Sequence, residues 1–164
     1  MTPAIRYGKR TDRALSMWVK LARAYAVFSN KSTEHIRSFG LTEGQFGALE
    51  ALGHKGPLTL GELCEKQLVS GGNMTVVVDN LERQGLVRRV RGSRDRRVIT
   101  IHLTGKGKEL FKQIFGRHAK YVAELASVLT VDEQEQLGRL LRKLGTSLRP
   151  RSSHAMRADG MPPG

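Results

Sequence analysis

The chain has 164 residues, 39% of them hydrophobic and 26% charged, which is ordinary for one globular domain with helical extensions. Its 28 Lys and Arg against 15 Asp and Glu give a net charge of +13, and its single cysteine, Cys64, excludes a disulfide framework and a zinc site built from cysteines. Without residues 149–164, which hold three arginines and one aspartate, 25 basic residues still face 14 acidic ones. The charge therefore favours an anionic partner of the folded part, although a merely soluble basic surface gives the same totals.

The two ends of the sequence differ from the part between them. The first residues contain no apolar signal segment, and no run approaches the length of a membrane span, so we expect a cytoplasmic protein without a membrane partner. Residues 1–10 are expected to be a flexible N-terminus. Residues 147–164, rich in Pro, Gly and Ser, predict a disordered basic tail.

Two helices are predicted first along the chain. Residues 12–38 contain no proline or glycine and carry apolar side chains at three- and four-residue spacing, which predicts one long helix. A second helix is expected to begin after Thr42, whose hydroxyl can cap it while Gln45 completes a capping box. We expect this helix to end near Gly53.

A pair of shorter helices follows. Thr59 and Glu62 form a second capping box for a brief third helix, and Ser70 is a good N-cap for a fourth. The fourth helix carries Met74, Val77, Val78 and Leu81 on one face, and Gly85 supplies its C-terminal stop. A short helix, a three-residue turn and a second helix with one buried face form the helix-turn-helix pattern.

A hairpin and two more helices complete the predicted order α-α-α-α-β-β-α-α. Residues 86–90 and 98–103 are the expected strands, the second a half-buried one with alternating apolar side chains. Residues 104–129 return to helix, and Thr130 with Glu133 caps a last, leucine-rich helix. The fold class is therefore mainly α, with a small β-hairpin wing on a helix-turn-helix.

The connection between the two strands carries a block of positive charge. Six arginines lie in the ten residues from Arg88 to Arg97, opposed only by Asp95. Such a block repels itself unless an anion binds it, and arginine is drawn into narrow minor grooves of DNA. We expect Asp95 to bridge to Arg97 and hold its guanidinium. The predicted DNA-binding residues of the wing are Arg88, Arg91, Arg94, Asp95, Arg96 and Arg97.

The fourth helix is expected to read the bases. Helices of this kind enter the major groove N-terminus first, and glycines there allow close approach to the backbone of DNA. Asparagine can pair with an adenine edge, and Val and Thr methyls can contact the thymine methyl. A flexible turn followed by solvated polar residues is the alternative interpretation. The predicted reading residues are Ser70, Gly71, Gly72, Asn73, Thr75, Val76 and Asn80.

The terminal helices are expected to form a homodimer. The middle module, residues 41–103, already has its own small core, so the apolar faces of residues 11–40 and 104–146 need other partners. Both faces are buried if these helices pack against each other and against those of a second copy of the chain. An intrachain helical pair without dimerisation is the alternative.

Three segments together resemble the MarR (multiple antibiotic resistance regulator) family of winged helix-turn-helix repressors, over about residues 11–146. They are "LTEGQFGALEAL", "LERQGLVRRV" and "RDRRVITIHLTGKGKEL". The resemblance implies a dimer that binds a pseudo-palindromic operator in double-stranded DNA, reads it with the helix of residues 70–83 and inserts Arg97 into the minor groove. It also implies release by a small, often aromatic or phenolic, ligand. Val76 and Asn80 depart from the family, which often has arginine or another long polar residue at these positions.

A ligand crevice between the dimer helices and the winged module is expected to be aromatic. An enzyme would need a catalytic constellation, and we predict none, nor any cofactor or metal, because the five histidines are scattered. Cys64 is expected to pack as a small hydrophobe and not to sense oxidants. A sequence-tolerant architectural DNA-binding protein is the rival to the repressor. The residues expected to line the crevice, each of which could instead be core or interface, are Trp18, Tyr25, Phe28, Phe46, Phe111, Phe115 and His118.

Overall fold

A computed structural model of the chain describes residues 7–67, 71–92 and 97–148. The described part is mainly helical with a small antiparallel sheet, which confirms the predicted fold class. In chain order the elements are α1 (Lys9–Arg37), α2 (Glu43–Lys55), β1 (Leu58–Thr59), α3 (Leu60–Gln67), α4 (Gly71–Arg83), β2 (Val87–Arg91), β3 (Ile99–Leu103), α5 (Gly105–Ala126) and α6 (Val131–Ser147).

Helix α2 begins as predicted and ends later than predicted. The Thr42 hydroxyl accepts from the Gln45 N–H at 3.2 Å, and the Gln45 side chain accepts from the Thr42 N–H at 2.9 Å, so the capping box is confirmed. The expected stop at Gly53 is wrong, because the helix continues to Lys55 and ends at Gly56, whose φ is +81°. Gly53 serves packing instead: a Cβ there would overlap the ring of Phe111.

The sheet has three strands in the order β1-β3-β2, one more than the sequence indicated. The hairpin pairs Val87 with Leu103 and Arg91 with Ile99. On the other edge of β3, Leu58 pairs with Ile101. The expectation of two strands is corrected here, because β1 has only two residues and is too short for a periodic pattern to show. It ties the connection between α2 and α3 to the wing.

The core of the middle module lies between α2, α3, α4 and the sheet. Its most buried side chains include Leu49, Leu63, Met74, Val78 and Leu81, each exposed by 1% or less. The predicted buried face of α4 is thereby confirmed at Met74, Val78 and Leu81. The second strand is less regular than expected, since only its middle residue is buried: Ile101 is in the core, whereas Ile99 is exposed.

The segment "LTGKG" after β3 closes the module around the end of α4. The Thr104 hydroxyl donates to the Gly85 carbonyl at 2.7 Å and accepts from the Gly107 N–H at 3.0 Å. The Lys106 ammonium donates to the Gln84 carbonyl at 2.9 Å. These bonds satisfy carbonyls that the end of a helix leaves without intrahelical donors, and Gly85, with φ +70°, makes the predicted turn.

The chain divides into two compact units between Leu125 and Ala126. Of α1, in the first unit, only Ile36 is buried, and none of the residues of α6, in the second, is buried. Helix α6 starts with the predicted capping box of Thr130 and Glu133. No helix within the described ranges is long and apolar enough to cross a membrane.

Candidate nucleic-acid interface

Helix α4 has a buried face and an exposed face, and the exposed face carries the residues predicted to read bases. Asn73 and Val76 are exposed, the latter by 58%, while Thr75 and Asn80 are half-buried. An exposed valine on a helix whose other valines pack inward is an apolar surface that a thymine methyl could match. Ser70, the predicted N-cap, lies outside the described residues, and Gly71 is the first residue of the helix.

Arg83, which is not among the predicted reading residues, joins this exposed face. Its guanidinium donates a hydrogen bond to the Asn80 side-chain oxygen, one turn earlier on the helix. The amide oxygen has two lone pairs, so this bond leaves geometric room for Asn80 to pair with an adenine edge. The spacing of three residues was the available signal, since such side chains are neighbours on a helix surface.

Several exposed positions of the hairpin and its connection carry arginine. Arg88 is exposed opposite His102, and Arg91 is exposed at the end of β2. Arg97 is exposed just before β3 begins. The other predicted wing residues, Arg94, Asp95 and Arg96, lie outside the described residues, and so does the expected bridge from Asp95 to Arg97.

Arg89, on β2, is ion-paired within the protein. Its guanidinium lies between two carboxylates of α4, with Nη2 2.5 Å from the Asp79 Oδ1 and Nη1 bonded to Glu82. Its backbone N–H also donates to Glu82 at 3.0 Å. Partial burial acts to lower the pKa of Arg89, but the bonds and charges of both carboxylates together raise it above its ordinary value. Nothing in the sequence alone separates Arg89 from its neighbours.

The seven residues predicted to line a ligand crevice occupy three settings. Phe46 is buried with its ring 4.7 Å from that of His118. Phe111 and Phe115 lie 5.3 Å apart, and both meet the ring of His54 edge-on. The three residues of α1 are exposed instead of lining an enclosed space: Trp18, Tyr25 and Phe28.

Two histidines that the sequence left scattered are in fact paired. The Nδ1 atoms of His35, on α1, and His118, on α5, lie 3.0 Å apart, and His35 stacks on Tyr121 with ring centres 4.2 Å apart. Burial, and then the neighbouring His35, lower the pKa of His118, which is 8% exposed. Within the described ranges, no three His, Cys, Asp or Glu side chains gather as a metal ion would require.

Comparison with known proteins gives a consistent set of similarities. A sequence profile of the MarR family matches residues 39–98. The HTH-type transcriptional regulator MhqR of Bacillus subtilis is 36% identical over 82% of this chain and 93% of its own length. A MarR family protein from Bacillus stearothermophilus superposes with a TM-score of 0.66 at 30% identity, over 84% of this chain and 96% of its own.

A further similarity is one of fold. A mutant of MarR from E. coli, solved in complex with operator DNA, superposes with a TM-score of 0.71 at 23% identity. The match covers 84% of this chain and 99% of that one. The relatives that match by sequence are regulators of transcription and not enzymes.

Proposed function

Because the chain belongs to the MarR family of DNA-binding transcriptional regulators, we propose that it is a homodimeric repressor of a pseudo-palindromic operator, released by a small aromatic or phenolic ligand. The observation that carries this proposal is the exposed face of α4 beside a hairpin that exposes Arg88, Arg91 and Arg97. The helix can lie in the major groove while the hairpin contacts the flanking backbone and minor groove.

Base reading is assigned to the exposed face of α4. Val76 and Thr75 offer methyl groups, and Asn73 and Asn80 offer amides, so the expected half-site combines thymine methyls with adenine edges. Ser70, Gly71 and Gly72, at or just before the helix start, are assigned to the phosphate backbone, where free N–H groups attract anions. Arg83, bonded to Asn80, is added to this set.

Backbone and minor-groove contacts are assigned to the wing. The exposure of Arg88, Arg91 and Arg97 supports this role. For Arg94, Asp95 and Arg96 the assignment rests on the sequence alone. These charges supply affinity for any DNA by releasing counterions. Sequence preference then comes from the helix and from the width of the minor groove.

Dimerisation is supported by apolar side chains that the single chain leaves exposed. Helix α1 exposes Trp18 by 60%, and α6 exposes Leu140 by 58%. Exposed apolar surface of this extent on helices marks an interface. A two-fold dimer presents two identical reading helices, which is the symmetry a palindromic operator needs. We assign residues 11–40 and 104–146 to dimerisation and 41–103 to DNA binding.

Ligand release is supported by the position of the aromatic residues. The ring pairs Phe46–His118 and Phe111–Phe115 lie where α2 and α5 meet, so a planar molecule inserted among them would shift the module relative to α5. A dimer bound to the operator represses because it spans two adjacent major grooves and covers any promoter element beneath it.

Selection of bound duplexes from a random DNA pool, at physiological salt with excess competitor DNA, tests the proposal. We expect a palindrome with half-sites about one helical turn apart, because that spacing places two reading helices on one side of the duplex. A preference for A/T-rich duplexes without a symmetric site would contradict it and favour an architectural DNA-binding protein. The ratio of specific to nonspecific affinity separates the two, whereas salt dependence does not.

A further inference from the structure

The ion-paired cluster of Arg89, Asp79 and Glu82 joins the two elements that the proposed function assigns to DNA. Asp79 and Glu82 lie one turn apart on α4, and Arg89 is on β2, after the turn at Gly85. Three bonds cross between the elements: one to Asp79, one to Glu82, and one from the Arg89 backbone N–H to Glu82. A guanidinium that bonds to two carboxylates at once, with an additional main-chain bond, fixes direction as well as distance.

The register of the hairpin passes this constraint to the rest of the wing. Arg89 pairs with Ile101, the buried centre of β3, and Arg91 pairs with Ile99 at the far end. A rotation of β2 about its buried end would therefore move Arg91 and Arg97 relative to α4. The cluster is half-exposed, with side-chain exposures of 31% for Arg89 and 49% for Asp79, so it opposes this rotation close to the surface on which DNA is proposed to bind.

We propose that Arg89 is a positioning residue that fixes the wing to the reading helix, and that it does not itself bind DNA. The inference rests on the proposed function and goes beyond it, because it gives Arg89, a member of the arginine block, a role within the protein instead of a contact with DNA. Its guanidinium bonds to two carboxylates of α4, and its charge cancels part of the repulsion between these carboxylates and DNA phosphates. Specificity then depends on the reading helix and the wing contacting DNA at the same time.

The double variant Asp79→Asn, Glu82→Gln distinguishes a positioning role of Arg89 from a phosphate contact. The two roles predict different changes in the affinity for DNA. The variant removes two negative charges near the DNA and releases the guanidinium. If Arg89 were a phosphate ligand held in reserve, affinity would rise for every duplex and the slope of log affinity against log salt would steepen. If it positions the wing, affinity for the selected duplex falls about tenfold relative to a scrambled duplex, the size of one lost specific contact.

The conservative variant Arg89→Lys supplies an independent reading of the same question. A lysine keeps the charge but offers a single ammonium, which cannot hold both carboxylates in the fork geometry of arginine. The ratio of affinities for the selected and scrambled duplexes should fall by a few-fold, about half the effect of the double variant on a logarithmic scale. A wild-type ratio in Arg89→Lys would overturn the proposal, even where the double variant proves too unstable to measure.

The matched control is the double variant Glu50→Gln, Glu65→Gln. It removes two negative charges from the same module, on α2 and α3, and should leave the affinity ratio unchanged. Equal ratios in the control and in Asp79→Asn, Glu82→Gln would also overturn the proposal. The proposed function fails in a different way, namely when the wild-type chain recovers no preferred duplex from the random pool.

Discussion

Gly107, in the first turn of α5, packs closely against the middle module because it has no side chain. A Cβ at this position would overlap the carbonyl oxygen of Leu86, on the turn that follows α4. The Gly107 N–H also donates a hydrogen bond to the Thr104 hydroxyl. The glycine in "LTGKG" is therefore required by close approach of backbone to backbone and not by a positive φ.

Gly107→Ala is expected to lower the free energy of unfolding by about 1–3 kcal/mol, because the overlap is with backbone that cannot rotate away. Gly116→Ala on the same helix is the control, since a Cβ there meets nothing within 4 Å. It should raise the stability by about 0.5–1 kcal/mol, through the loss of unfolded-state entropy. Urea denaturation measures both, and equal effects of the two substitutions would refute the packing argument.

His118 makes stability depend on pH in a defined direction. Burial and His35 lower its pKa below the ordinary value of about 6.5, so between the two values the unfolded chain binds more protons than the folded chain. The contribution of His118 to stability is therefore intact above about pH 6.5 and is lost as the pH falls from there through the folded pKa.

The expected result is a lower free energy of unfolding at about pH 5.5 than at about pH 7.5, measured by urea denaturation. His118→Gln should be less stable at both pH values, since it disturbs the contacts with His35 and Phe46, but its stability should change less with pH. An unchanged pH dependence in His118→Gln would show that another group is responsible.

At the scale of elements, the hairpin answers why so much positive charge is concentrated in ten residues. Two short strands, pinned to α4 at one end, present arginines on a support that needs no large core. In the proposed complex, DNA neutralises charge that would repel itself in a free loop.

Arg97→Ala tests the wing directly and is expected to weaken binding of the selected duplex by about 1–3 kcal/mol, comparable to the loss of one good contact. Lys112→Ala removes the same charge from the exposed surface of α5 and should cost less. Both are measured at one fixed salt concentration. An unchanged affinity of the Arg97 variant would remove this residue from the proposed interface.

Element boundaries were predictable where a local bond makes them. The capping boxes at Thr42 and Thr130 and the turn at Gly85 depend on residues within a few positions of each other, and all three are confirmed. The predicted end of α2 was wrong because Gly53 is required by Phe111, which lies more than fifty residues further along the chain. β1 was missed because its two residues become a strand only by pairing with β3.

At the scale of the whole molecule, the proposed dimer gives the exposed leucines of α6 a function. Leu140→Glu is expected to raise the dimer dissociation constant by about a hundredfold, since an interfacial carboxylate must be desolvated without a partner. Gln136→Glu adds the same charge to the same helix and is the control. Sedimentation velocity over a range of concentrations measures both, and operator affinity should fall with dimerisation.

Two outcomes would contradict this prediction. A wild-type chain that is monomeric at concentrations sufficient for DNA binding would remove the dimer itself. Equal dissociation constants for Leu140→Glu and Gln136→Glu would show that α6 is not at the interface, and would direct attention to the exposed aromatic residues of α1.

The sequence by itself determined the order of the helices, the hairpin, the inward face of α4 and the family. These follow from periodicity, caps and motifs, which act over a few residues. Only the tertiary structure decided that Arg89 differs from Arg88, that His35 meets His118, and that Gly53 and Gly107 are sites of close packing. Each of these depends on residues brought together from separate elements, and the periodicity of a single element cannot specify which distant group will meet it.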